Sequence, residues 1–310
     1  MCRTFQFSSI RWALLLIVSL SLAGCRTSKA PPAPATGTLS LSPTNAHDPS
    51  TNILAMQSLL AVLWYQRAAE RDALCYQACN IARERLDRHL ADRMPGASNR
   101  PSAIIVDIDE TVLDNSPYQA GLALRGETYQ ELTFSNWVSA AKAKALPGIS
   151  NLLHYATNHQ VEIFYISNRK FALEHDAPRT TITNLINEGL PCADEKHVLL
   201  QTKSSSKDDR RGPLLTNGVY DIVFLMGDNL ADFHHEFEGT NANHHVERRR
   251  LTKSAQALFG DKYIVMPNPM YGDWENALYD KKSRLLDKVN LRNEFLDAYN
   301  PTNRTVTLGK

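Results

Sequence analysis

Five short apolar runs, separated by longer polar and helical stretches, most strongly limit the folds open to this chain of 310 residues. Each run is rich in β-branched or aromatic residues and has the length of a typical buried strand. The runs lie at residues 103–107, 161–166, 197–200, 221–226 and 262–266. Such alternation is typical of βαβ units, whose parallel strands are covered by helices on both faces. The sequence therefore predicts an α/β fold with a doubly wound, Rossmann-type parallel sheet.

Polar side chains follow four of these runs at the point where each predicted strand ends. They are Asp107 and Asp109, then Ser167, Asn168 and Arg169, then Lys203 and Lys207, and then Asp228 and Asp232. Ligands bind outside the carboxyl ends of the strands in open α/β sheets. We therefore expect these side chains to surround one crevice.

Four aspartates in one crevice repel each other, so either some of them are protonated or a cation is present. A site with oxygen donors and without His or Cys favours Mg²⁺ over Zn²⁺. Such a Mg²⁺ site keeps several waters and leaves a place for a substrate phosphate. Lys207 and the Ser167 hydroxyl would supply positive charge and donors to the phosphate oxygens.

Three motifs resemble those of a known family of phosphohydrolases. DIDET at 107–111, SNR at 167–169 and GDNLADF at 227–233, with a lysine after the third strand, resemble the haloacid dehalogenase superfamily. DIDETVLDNSPY and PNPMYGDWE (267–275) narrow the resemblance to its class C bacterial acid phosphatases, which are surface lipoproteins with four signature aspartates. The resemblance covers most of residues 51–300. It implies a haloacid dehalogenase-like core with a helical cap subdomain.

The resemblance also implies an activity and a role for each aspartate. The activity is Mg²⁺-dependent hydrolysis of phosphomonoesters, such as nucleoside monophosphates and aryl phosphates, through an aspartyl-phosphate. Asp107 would be the nucleophile and a metal ligand. Asp109 would be the general acid and then the base, with its backbone carbonyl on the metal. Asp228 would bind Mg²⁺ directly. Asp232 would hold a metal-bound water or orient the lysine.

The remaining expected site residues contact the substrate. Ser167, Asn168 and Lys207 are expected to bind the phosphoryl group, with Lys203 as the alternative lysine that spacing to GDN disfavours. The resemblance assigns Tyr271 to stacking on the organic part of the substrate, and Phe134 or its neighbour Trp137 to the second ring. Each of these rings could equally belong to the core.

The first 50 residues have the pattern of a targeting segment followed by a tether. Residues 1–24 end in a 12-residue apolar run, too short to span a bilayer, and read as a signal peptide. Leu22-Ala23-Gly24-Cys25 resembles a bacterial lipobox, so we expect a lipid anchor at Cys25 and an outer-membrane location. The alternative is an ordinary secretory signal. Residues 25–50 are rich in Pro, Ser, Thr and Ala and read as a flexible tether.

Changes in composition, together with Pro and Gly residues that end helices, divide the rest of the chain into three segments. We expect an N-terminal helical region at 51–99, the core at 100–270 with a helical insert at about 115–147, and a C-terminal helical segment at 271–310. That segment would pack on the domain or on a second subunit, which would make the protein a homodimer. The formal net charge of +1 argues against a nucleic acid polymer as partner.

Two other functions are compatible with these residues. One is a dedicated 5′-nucleotidase or a phosphotransferase on the same core. The other is a lipid-anchored receptor that binds a ligand without catalysis. A receptor has no need for a nucleophile and an acid two residues apart, so we favour the enzyme.

Overall fold

The computed structural model describes residues 49–93, 100–171, 176–216, 218–239, 244–280 and 282–309, and all structural statements refer to these residues. The expected signal peptide at 1–24, the expected lipid site at Cys25 and nearly all of the expected tether lie outside them. Within the described ranges, no helix has the length and apolar character needed to cross a membrane.

Helices and strands alternate along the described chain. The first half contains α1 (Pro49–Arg67), α2 (Ala69–Asp92), β1 (Ser102–Val106), β2 (Leu113–Asp114), α3 (Ser116–Arg125), α4 (Glu131–Ser139), β3 (Lys144–Ala145) and α5 (Ile149–Asn158). The second half contains β4 (Glu162–Lys170), α6 (Ala177–Asn187), β5 (Val198–Gln201), α7 (Asp208–Thr216), β6 (Asp221–Gly227), α8 (His244–Ser254), β7 (Tyr263–Val265), α9 (Asp273–Asn276), α10 (Leu285–Glu294), β8 (Ala298–Asn300) and β9 (Thr305–Thr307).

A five-stranded sheet in the order β5-β4-β1-β6-β7, parallel throughout, forms the centre of the fold. Successive residues of β1 enter two different cores: Ile104 packs in one and Ile105 in the other. Because both faces are buried, each strand reads as a continuous apolar run rather than an alternating one. The predicted α/β class and parallel sheet are confirmed.

The register of the sheet brings three strand ends together. Val106, the last residue of β1, pairs with Tyr165 of β4 on one side and Met226 of β6 on the other. The amide of Asp107 continues this ladder with a 2.9 Å hydrogen bond to the carbonyl of Met226. The polar residues that follow β1 and β6 therefore meet Ser167, Asn168 and Arg169 at the carboxyl end of the sheet. These three lie within β4, which runs past its predicted end to Lys170.

Helices α3 and α4 and the small antiparallel β2–β3 pair occupy the segment expected to form the helical insert. Helix α1 packs against α3 and α10, and α4 packs against α6. The insert and the N-terminal helix thus lie against each other over the carboxyl end of β1.

The C-terminal segment differs from the expectation. Only α9 and α10 are helical there, and the prediction of a helical segment is wrong from Ala298 onward, where β8 and β9 form an antiparallel pair. Pro301 cannot donate a helical hydrogen bond, and Arg304 has a left-handed φ of 53°. β-Branched side chains at 305–307 favour the extended return strand.

Candidate active site

A buried lysine between carboxylates lies at the carboxyl end of the central strands. Lys207 Nζ contacts Asp107 and lies 2.7 Å from Asp232 Oδ1. Asp107, Lys207 and Asp232 are 7%, 5% and 8% exposed, so little water screens their charges. The other Asp232 oxygen accepts the backbone N–H of Asn229 at 3.0 Å, which fixes the carboxylate. The structure thus holds these three charged groups in a dry, preorganised cluster.

Asp107, Asp228 and Asp232 form an acidic trio that can hold a cation. One carboxylate oxygen from each lies within 4.8 Å of the others. Asn268 Nδ2 donates to Asp228 at 2.8 Å and orients it. Burial raises the pKa of Asp228 well above its ordinary value, and the charges of Asp232 and Asp107 raise it further. Oxygen donors that repel one another in this way suit a hard divalent cation, which would bind all three.

The charge on Lys207 and the reactivity of Asp107 depend on each other. Burial opposes the charge on Lys207, but Asp107 and Asp232 raise its pKa above its ordinary value. Burial also raises the pKa of Asp107 to about 7; Lys207 acts against this shift and Asp232 adds to it. Asp107 therefore stands beside a group that stays positively charged.

Asp109 lies outside the acidic trio and has partners of its own. Arg169 donates from Nη2 to Asp109 Oδ1 at 2.8 Å, Ser167 Oγ donates to Oδ2 at 3.0 Å, and Asn115 Nδ2 donates to Oδ1 at 2.7 Å. Burial alone would raise the pKa of Asp109, but Arg169 and the other two donors lower it below its ordinary value. The assignment of its backbone carbonyl to the metal stays a prediction.

The expected phosphate-binding residues take different positions. Ser167 is fully buried, and its hydroxyl is used by Asp109. Asn168 lines the cavity above the site, and its Oδ1 accepts a 2.7 Å hydrogen bond from Arg210. Lys203 is exposed on the loop before α7, whereas Lys207 is buried in the site. The geometry thus favours Lys207 over Lys203.

A cavity of about 650 Å³ opens above the carboxylates. Its floor includes Asp107, Asp109 and Asp228, and its wall includes Phe134 and Tyr271, as the stacking prediction requires. Tyr118 and Tyr129 surround Phe134, with ring centroids 5.3 and 5.7 Å away.

Trp137 does not belong to the described residues that line this cavity. Its ring packs against the hydrophobic core, and its indole N–H donates to Asn115 Oδ1 at 2.7 Å. The expectation that Trp137 stacks on substrate is not met, because a fixed hydrogen bond turns the indole toward the protein.

Sequence reasoning gave no role to several residues that contact the predicted ones. They are Glu110, Asn115, Arg169, Arg210 and Asn268. Glu110 and Arg169 lie inside the DIDET and SNR motifs, and this position could have identified them as site residues. Asn115 and Asn268 likewise lie inside DIDETVLDNSPY and PNPMYGDWE, whereas Arg210 reaches the site through tertiary packing, which leaves no local pattern.

The chain is similar to known acid phosphatases. The family model described as HAD superfamily, subfamily IIIB (acid phosphatase) matches residues 35–274. The solved class C acid phosphatase from Bacillus anthracis is 39% identical, with a TM-score of 0.71, over 80% of this chain and 100% of that chain. A structure of that enzyme with tungstate bound gives the same values.

Two curated plant proteins match over shorter stretches. Acid phosphatase 1 from Solanum lycopersicum is 27% identical over 136 residues, 41% of this chain and 50% of that protein. The stem 31 kDa glycoprotein from Glycine max is 26% identical over 172 residues, 54% of this chain and 58% of that protein. The chain spans about half the length of these relatives. The family match over 35–274 and the full-length likeness to a class C enzyme show that this chain belongs to the acid phosphatases of haloacid dehalogenase subfamily IIIB.

Proposed function

We propose that this protein hydrolyses phosphomonoesters with Asp107 as nucleophile and Mg²⁺ as cofactor. The observation that carries the proposal is the buried contact of Lys207 with Asp107 and Asp232 beside Asp228. A lone carboxylate nucleophile repels a phosphate dianion. Lys207 supplies positive charge where the phosphate oxygens must come.

Asp107, Asp228 and Asp232 would hold the divalent cation that haloacid dehalogenase phosphatases generally use. Their donors are all oxygens, which suits Mg²⁺. When bound, the cation supplies charge stabilisation to the transferring phosphoryl oxygens. Formally, three carboxylates and one ammonium carry two negative charges, which one divalent cation balances.

In the first step, a carboxylate oxygen of Asp107 attacks phosphorus and the bond from phosphorus to the ester oxygen breaks. Asp109 gives its proton to the departing oxygen, so that an alcohol leaves and Asp109 becomes a carboxylate. Against the effect of burial, Arg169 and the other two donors lower the pKa of Asp109 below its ordinary value, so its protonated form needs an acid pH. An acid pH therefore favours turnover of esters that need the proton, provided that Lys207 and the bound cation keep Asp107 ionised, since burial raises the pKa of Asp107 to about 7.

In the second step, water attacks phosphorus and the bond to Asp107 breaks. Asp109 takes the proton from this water, which restores both carboxyl groups and releases inorganic phosphate. Arg169 and Ser167 hold Asp109 at the cavity floor through both steps.

The cavity supports nucleoside monophosphates and aryl phosphates as the substrate class. Its volume of about 650 Å³ lies within the usual range for small-molecule sites. Phe134 and Tyr271 present ring surface to a flat leaving group, and stacking contributes about 1–3 kcal/mol per base. Stacking accepts many flat partners, so we expect broad specificity.

We also propose that the protein is an outer-membrane lipoprotein anchored at Cys25. Support comes from the apolar run, the Leu22-Ala23-Gly24-Cys25 sequence and the tether that follows. Mass spectrometry of the protein from membranes tests this, since an unmodified Cys25 would exclude the anchor. The homodimer stays a prediction.

A panel of phosphate esters, assayed with chelator and with added Mg²⁺, tests the activity. We expect release of phosphate from p-nitrophenyl phosphate and AMP, lost with chelator and restored by Mg²⁺. Tungstate, which is bound in the Bacillus anthracis enzyme, should inhibit competitively. Binding of AMP without phosphate release would favour the receptor. Phosphoryl transfer to an added alcohol in preference to water would favour the phosphotransferase. Cleavage of AMP but not of p-nitrophenyl phosphate would favour the nucleotidase.

A further inference from the structure

Asn115 connects the cap to the general acid. It is fully buried at the N-cap position of α3, yet its side chain makes no capping hydrogen bond within the described structure. Asparagine at this position ordinarily caps the helix with its side chain. Here the side chain instead joins Asp109, Glu110 and Trp137.

The indole of Trp137 fixes which way the amide of Asn115 points. Indole Nε1–H is a donor only, so the group that faces it at 2.7 Å must be the carbonyl oxygen Oδ1. The amide nitrogen Nδ2 must then face the carboxylates, 2.7 Å from Asp109 Oδ1 and 3.3 Å from Glu110 Oε2. Helix α4 of the cap, which carries Trp137, thus determines which atom Asn115 presents to Asp109.

Glu110 holds the other side of this network. It is fully buried, accepts the backbone N–H of Asn115 at 2.7 Å and accepts the hydroxyl of Tyr271. Its backbone has a left-handed φ of 59°, a conformation that is strained for a non-glycine residue. A buried carboxyl on a strained backbone persists only where surrounding contacts hold it, and such strain concentrates at active sites.

Asp109 receives donors on two sides. Arg169 and Ser167 approach from β4, and Asn115 approaches from the start of the cap. Arg169 donates to both carboxylate oxygens and Ser167 Oγ donates to Oδ2, so the side of the group that faces β4 is held. On the side that faces the cap, Asn115 Nδ2 adds a donor to Oδ1 and completes the restraint on the plane of the carboxyl group.

We propose that Asn115 is a positioning residue that aims Asp109 at the leaving oxygen, and that Trp137 holds Asn115 in the required orientation. The proposal rests on the proposed function. The proposal predicts that the effect of losing Asn115 depends on the leaving group of the substrate. Esters whose leaving alcohol is a weak acid need the proton, whereas p-nitrophenolate leaves with little help. A misaimed Asp109 must therefore slow the first kind far more than the second.

The test compares Asn115→Ala with the wild-type protein on two esters, glycerol phosphate and p-nitrophenyl phosphate, with Mg²⁺ present. We expect kcat/KM for glycerol phosphate to fall at least about tenfold more than for p-nitrophenyl phosphate, a part of what general acid catalysis supplies. Trp137→Phe keeps an aromatic ring but removes the N–H, and should shift the ratio in the same direction by less.

Asn184→Ala is the matched control. Asn184 is also a buried asparagine, but its amide bonds the backbone of Ala143, with Nδ2 2.7 Å from the carbonyl and Oδ1 3.2 Å from the N–H. It should lower the melting temperature and leave the ratio of the two esters unchanged. An equal loss on both esters in Asn115→Ala would reduce Asn115 to a structural residue and overturn the proposal.

Three further outcomes are possible. If Asn115→Ala does not fold, as judged by circular dichroism, Trp137→Phe decides, because an unchanged ratio in that variant overturns the proposal and a shifted one supports it. If the wild-type protein cleaves neither ester, the proposed function fails and this inference fails with it. If the wild-type protein cleaves both and the ratio does not move, only this inference fails.

Discussion

Lys207 offsets the negative charge of the acidic trio, Asp107, Asp228 and Asp232. Removing one member of a buried, hydrogen-bonded charge pair leaves the other uncompensated, which costs about 3–5 kcal/mol. Lys207 has two such partners, Asp107 and Asp232. Its charge therefore stabilises the resting cluster and, under the proposed function, the phosphoryl group that Asp107 would attack.

Lys207→Ala and Lys203→Ala form a pair of variants that separates the two lysines of one loop. We expect Lys207→Ala to lower kcat by about 10²–10³-fold, the effect of losing one preorganised positive group or donor. Lys203 is exposed, so Lys203→Ala should change kcat by less than about twofold. Steady-state assays with p-nitrophenyl phosphate measure both. A larger loss of kcat in Lys203→Ala than in Lys207→Ala would assign the phosphate-binding role to Lys203.

Asp232 packs closely against Gly227, the last residue of β6. A Cβ on Gly227 would lie 2.5 Å from Asp232 Cβ, closer than real carbon atoms approach. Gly227 has no side chain, so the turn after β6 can fold the Asp232 carboxylate back against the strand end. The glycine of GDNLADF thus belongs to the geometry of the acidic trio.

Gly227→Ala should displace Asp232 and weaken its contact with Lys207. We expect kcat to fall by at least about tenfold, as for other small misplacements of a catalytic group. The free energy of unfolding should fall less than in a core cavity variant. Chemical denaturation and p-nitrophenyl phosphate turnover measure the two effects. Wild-type turnover in Gly227→Ala would show that Asp232 tolerates the shift.

The elements of the sheet were predictable because their signal is local. Apolar runs give the five central strands, and the polar residues after them give Asp107, Asp228 and Asp232. The pairing of Arg169 with Asp109 was not predictable, since it depends on how β4 bends at its register shift beyond Ser167. The bond from Tyr271 to Glu110 joins residues 161 positions apart, and Trp137 turned inward to reach Asn115. Motifs mark most of these residues, but tertiary packing decides which of them pair.

The stability of the whole molecule should depend on pH through the acidic cluster. The pKa of Asp107 is raised to about 7, and that of Asp228 is also raised, so the folded protein holds protons that the unfolded chain releases near pH 4. Stability from these groups is therefore present at low pH and is lost as pH rises from about 4 to 7.

Mg²⁺ binds the ionised carboxylates and should reverse this loss. We expect added Mg²⁺ to raise the melting temperature by about 5–10 °C at pH 7 when the free Mg²⁺ concentration is 100 times Kd. The rise at pH 5 should be smaller. Asp228→Asn should abolish most of the effect. Differential scanning calorimetry at both pH values measures it. An equal or larger shift at pH 5 would mean that Mg²⁺ binds elsewhere.

The central claim is that the Asp107 carboxylate accepts the phosphoryl group covalently. Rapid acid quench during turnover, followed by peptide mass spectrometry, tests it most directly. We predict one added phosphoryl group on the peptide that contains Asp107, and none in Asp107→Asn, which should fold but not turn over. Phosphoryl label on another residue, or full turnover by Asp107→Asn, would contradict the account.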